Sequence, residues 1–130
     1  MAHSSSGSVL FYKLQVTERV YRLWRKASAA ALEKGDCLSV ADWCRRAAEA
    51  DYRAIQYPGE VPNPGPYMIW PAWTLHPNQK TMFQLRARMN DLSLSAWVRG
   101  AFTRQAMGQL GATEGEQQTF LDSLRVDARM

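Results

Sequence analysis

Cysteine, histidine and long apolar runs are scarce in this chain, and each scarcity removes a class of function. Two cysteines, Cys37 and Cys44, and two histidines, His3 and His76, occur in 130 residues. They form neither a disulfide framework nor a metal-ligand spacing, so no metal and no cofactor is expected. Cys44 lies on an apolar helical stripe, where a buried reduced thiol is expected. There is no Gly-rich phosphate loop, no histidine beside a plausible nucleophile and no carboxylate cluster, so no catalytic residue is expected and the chain reads as a non-enzyme. No apolar run approaches the roughly 18 residues of a membrane span. The opening MAHSSSG lacks the charged and apolar regions of a signal peptide, and a cytoplasmic protein with no membrane partner is expected. Residues 1–8 are expected to be disordered.

What the chain does have is an ordinary globular composition, 46% hydrophobic and 22% charged. Its charge is uneven. Residues 1–107 carry 14 Lys and Arg against 8 Asp and Glu, whereas residues 108–130 carry 2 against 4. A basic body with an acidic tail suits a polyanionic partner. The expected division is one compact unit over 9–107 followed by the tail, in which Thr113 and Glu116 have capping-box spacing and Phe120, Leu121, Leu124 and Val126 form an apolar patch. Such a tail is either a short helix packed on the body or a segment that binds a protein partner.

Within the body, the residues from Val9 to Val16, VLFYKLQV, alternate from Tyr12 onward and read as a half-buried strand. Thr17 and Glu18 look like a helix start. Val20, Leu23, Trp24, Ala27 and Ala31 then recur at helical spacing up to Gly35 and Asp36, a stop signal. A second helix is expected from Ser39, where Asp42 completes an S-x-x-D spacing and Val40, Trp43, Cys44 and Ala47 share a face. Residues 56–66, QYPGEVPNPGP, lose all periodicity and read equally well as an extended linker or a surface loop. Beyond them the order repeats. YMIWPAWTL (67–75) is β-rich, His76 to Asn78 resemble a helix start, Met82, Phe83, Leu85 and Met89 supply an apolar face, and a last helix begins at Ser93 with Leu94, Trp97, Val98, Ala101 and Phe102 inside.

The two second helices align without a gap. SVADWCRRA (39–47) and SLSAWVRGA (93–101) lie 54 residues apart and share Ser, Trp, Arg and Ala at four of nine positions. Strand, helix and helix therefore recur as half 1 (9–55) and half 2 (67–107). Trp43 and Trp97, inside matching apolar stripes, are expected to anchor the core.

This order, with K-L-Q-V-T-E-R-V leading into a helix, a turn and S-V-A-D-W-C-R-R-A, resembles the ribbon-helix-helix DNA-binding family over roughly residues 9–107. The resemblance implies a mainly α fold with a short two-stranded antiparallel ribbon, the two motifs intertwined as a pseudo-dimer in one chain. Departures from the family pattern are visible. Ser39 lies 23 positions after Val16 but Ser93 only 18 after Leu75, so the first helix or its turn is longer in half 1. Pro71 removes a backbone donor from the second strand.

An antiparallel ribbon fits the major groove with one face in the core and the other on base edges. In half 1, Tyr12, Leu14 and Val16 are expected to face the core, and Phe11, Lys13 and Gln15 the groove. Matching Leu75 to Val16 puts Trp73 and Leu75 inside and Trp70, Ala72 and Thr74 outside. Phe11, Lys13, Gln15, Ala72 and Thr74 are the candidate base-reading residues, with Trp70 more apt to pack at the ribbon end. A solvated strand face also suits Lys and Gln; the repeat favours readout. The family resemblance further implies a phosphate grip at the start of each second helix, at Ser39 and Val40 and at Ser93 and Leu94, compatible with plain N-capping by the serines. Arg45, Arg46 and Arg99, one turn on, are either helix-surface charges or contacts to the DNA backbone, mostly the former.

The expected function is therefore sequence-specific binding of double-stranded DNA by a transcriptional repressor, monomeric as a pseudo-dimer and able to assemble further on DNA. The same fold would also suit an accessory factor on plasmid or mobile-element DNA, an antitoxin, or a protein-protein adaptor.

Overall fold

The computed structural model describes residues 10–54 and 60–129, with the side chains of residues 10–12 excepted. The expected disorder of residues 1–8 and the inward placement of the Tyr12 side chain lie outside the described residues. Along the chain the order is β1 (Leu10–Thr17), α1 (Glu18–Lys34), α2 (Val40–Ala54), β2 (Tyr67–Leu75), α3 (Pro77–Met89), α4 (Leu94–Gln109) and α5 (Glu114–Arg129). Strand-helix-helix thus occurs twice, the strands pair antiparallel in a two-stranded sheet, and a fifth helix follows. The longer spacing of the first half goes into α1, which has 17 residues where α3 has 13.

Local chemistry explains most of the boundaries. Gly35 closes α1 at φ +79°, a left-handed conformation that suits glycine, while the amides of Gly35 and Asp36 bond back to Leu32 and Ala31. His76 accepts from the Asn78 amide and Gln79 returns the bond to the His76 amide, with Pro77 in the first turn. Thr113 and Glu116 form the expected reciprocal box at α5. The start of α1 is different: the Thr17 side chain makes no cap. Instead, Asn63 Oδ1 accepts from the Thr17 amide at 2.8 Å and the Pro66 carbonyl from the Glu18 amide at 3.3 Å. Residues 60–66 are therefore tied to the strand-helix junction, and Val61 in that segment is buried.

The core lies beneath one face of the ribbon. All five tryptophans are buried. Trp24 meets Trp70 and Phe102 edge-on at 5.3 and 5.1 Å, Trp73 and Trp43 also pack on Phe102, and Phe83 stacks on Trp97 at 5.1 Å. Indole N–H groups find partners inside: Trp24 donates to Thr103 Oγ1, Trp43 to Gln109 Oε1 and Trp70 to Cys44 Sγ. Because α4 packs against α1, α2 and α3, the helices of the two halves share this core. Trp43 and Trp97 are anchors within it. Cys37 and Cys44 are free and buried, and burial pushes the Cys44 thiol up to about 12.

Two apolar faces differ from expectation. On α3 the buried residues are Phe83 and Ala87, while Met82, Leu85 and Met89 are exposed. Both sets have helical spacing, so periodicity does not choose between them; the buried face is the one whose Phe83 stacks on Trp97. In the tail, α5 is a full helix of 16 residues rather than a short one. Leu124 is fully buried and Phe120 and Leu121 are half-buried, but Val126 faces solvent. Arg19 of α1 holds this helix, bonding Asp127 at 2.9 Å and Ser123 at 2.8 Å beneath the Phe120 ring.

Candidate nucleic-acid interface

Strand alternation would give each strand one inner and one outer row, but the pairing contains an irregularity. Tyr12 pairs with Trp73 and Leu14 with Trp70, so Lys13 alone lies opposite both Pro71 and Ala72. This is a β-bulge on β2, placed where proline has no N–H to give the ladder. Its effect is to shift the alternation by one. Trp73 and Leu75 point inward as expected; beyond the bulge Trp70 also turns in and is fully buried. The outward position for Trp70 is thus corrected, and Ile69, 57% exposed, takes its place. Gln15 opposes Ile69, and the Phe11 backbone pairs with Thr74.

On β1, Lys13 and Gln15 are exposed while Leu14 and Val16 are buried. The Phe11 side chain lies outside the described residues. Asn63 Nδ2 donates to the Gln15 carbonyl at 3.3 Å, so the segment that caps α1 also steadies the strand under Gln15. On β2, Ala72 is exposed and Thr74 is half-buried. Arg45, from the second turn of α2, donates to both the Thr74 carbonyl at 3.2 Å and its hydroxyl at 3.1 Å. Arg45 is thereby a brace between helix and ribbon rather than a plain surface charge. Ile69 was not singled out from sequence as a site residue, and neither was the contact of Arg45 with Thr74. Pro71 was the signal for the first, because a proline inside a strand calls for an edge or a bulge.

The starts of the second helices are alike in capping and unlike in charge. Ser39 Oγ accepts from the Asp42 amide at 3.0 Å, and Ser93 Oγ accepts from the Ala96 amide at 3.1 Å. Both serines are exposed, whereas Val40 and Leu94 are half-buried and pack on the core. At α2 the Asp42 carboxylate accepts from the Leu38 amide and from Arg46 Nε, each at 2.9 Å. The Leu38 amide, then Arg46, hold Asp42 below the usual carboxylate range. A fixed negative charge therefore sits in the first turn of α2; α4 has no acidic residue there. Asp42, paired with Arg46, is an acidic group beside Ser39 and Val40 that has no counterpart beside Ser93 and Leu94.

No helix among the described residues is long and apolar enough to cross a membrane. No protein-family model, curated protein or solved structure matches the chain.

Proposed function

We propose that this chain is a ribbon-helix-helix-like DNA-binding protein in which both motifs lie in one polypeptide, and that it acts as a transcriptional repressor by occluding its operator. The observation that supports this most is the antiparallel pairing of one strand from each half into a ribbon with a buried aromatic face and an outer face bearing Lys13 and Gln15. A two-stranded ribbon has the dimensions of the major groove. Lys13 suits guanine O6 or N7, and Gln15 suits adenine N6 and N7. The α4 amino terminus at Ser93 supplies a phosphate contact, and the basic body supplies the long-range attraction.

Selection of bound fragments from a random-sequence duplex pool at near-physiological salt tests the reading. Enrichment of one sequence is expected, with affinity that falls steeply as salt rises. Lys13→Ala should lower discrimination between the enriched site and a shuffled duplex more than it lowers binding to the shuffled duplex. Equal losses on both duplexes would remove Lys13 from the reading face.

A further inference from the structure

We infer that the two strands divide the reading of DNA between them, β1 contacting hydrogen-bonding base edges and β2 contacting thymine methyl groups, chiefly through Ile69. This rests on the DNA-binding reading above. The outer face of β1 offers Lys13 and Gln15, both able to hydrogen-bond a base. The outer face of β2 offers Ile69, Pro71 and Ala72, all exposed and none with a side-chain hydrogen-bonding group. Of the polar residues that flank them, Thr74 is engaged, holding Arg45 through its hydroxyl, and Tyr67, half exposed, stands at the end of the ribbon with its ring against Gly65.

Ile69 is the residue that asks for an explanation, since a β-branched apolar side chain is 57% exposed beside two polar ones. It is there because the bulge at Pro71 and Ala72 turns Trp70 into the core and Ile69 out. In the major groove the one apolar group on a base edge is the thymine C5-methyl. Gln15 and Ile69 are direct cross-strand partners, a relation that brings Cβ atoms to about 5 Å. With Gln15 on adenine N6 and N7, Ile69 reaches the thymine methyl of the same base pair or of its neighbour. The proposed target is an A·T step beneath this pair, at the end of the ribbon where Gln15 and Ile69 lie side by side.

The test uses the duplex enriched by the intact chain and replaces each thymine in turn by deoxyuridine, which deletes the methyl and nothing else. Loss of about fourfold in affinity per contacted methyl is expected, the worth of one buried methyl group, and chiefly at thymines beneath the Gln15–Ile69 end of the ribbon. Ile69→Ala should weaken binding to the thymine duplex and become insensitive to the same deoxyuridine substitution, a coupling that a double-mutant cycle reads directly. Tolerance of every deoxyuridine, or an Ile69→Ala loss equal on both duplexes, would overturn the division of roles while leaving DNA binding intact. Failure to enrich any duplex would overturn the DNA-binding reading itself.

Discussion

Replacement of Trp70 by alanine is expected to cost about 3 to 5 kcal/mol of folding stability. The side chain has no exposed surface, lies edge-on to Trp24 and Tyr21 at 5.3 and 5.6 Å, and donates its N–H to Cys44 Sγ. Its truncation leaves a cavity bounded by α1, α2 and the ribbon. Ile69→Ala, one residue away, should cost under about 1 kcal/mol because that side chain is mostly in solvent. Urea denaturation of the two variants gives the comparison. The difference between neighbours is a direct consequence of the bulge, and a reversed order of losses would place Ile69 in the core and Trp70 outside.

Arg104→Leu is expected to cost a similar amount, about 3 to 5 kcal/mol. Asp51 is buried on α2, and Arg104 of α4 meets it in a bidentate pair, Nε to Oδ1 at 3.0 Å and Nη2 to Oδ2 at 2.7 Å, with Gln105 alongside. Removing the guanidinium leaves a carboxylate with little access to water, which is why breaking such a pair costs more than the pair itself is worth. Adding Asp51→Leu to Arg104→Leu should therefore restore much of the loss. Denaturation of the single and double variants measures this coupling; strictly additive losses would show that the two groups act independently.

The sequence made the order of elements legible because each element has a strong local signal. Alternation marks β1, Gly35 and Asp36 end α1, and the Ser-Trp-Arg-Ala repeat aligns α2 with α4. It also made Lys13 and Gln15 legible, since alternation holds without interruption from Lys13 to Val16. Beyond Pro71 the same rule misled, because one extra residue reverses every later face of a strand. On α3 the two apolar stripes, Phe83 with Ala87 and Met82 with Leu85 and Met89, are indistinguishable until α4 is in place. The buried ion pair was readable in part. Asp51 continues the stripe of Cys44 and Ala47 at helical spacing, a position where an acid needs a partner, but nothing local names Arg104 as that partner. Arg45 on Thr74 and Asn63 on Thr17 and Gln15 depend on long-range proximity alone.

The central claim is that a single chain places the outer face of its ribbon in the major groove. Dimethyl sulfate footprinting on the enriched duplex tests it most directly, because the reagent methylates guanine N7 in the major groove and adenine N3 in the minor groove. With one chain per site, established by titration at stoichiometric concentration, protection of guanine N7 is expected at positions where Lys13→Ala restores reactivity. Protection confined to adenine N3, or a footprint that forms only when two chains are bound, would contradict the account.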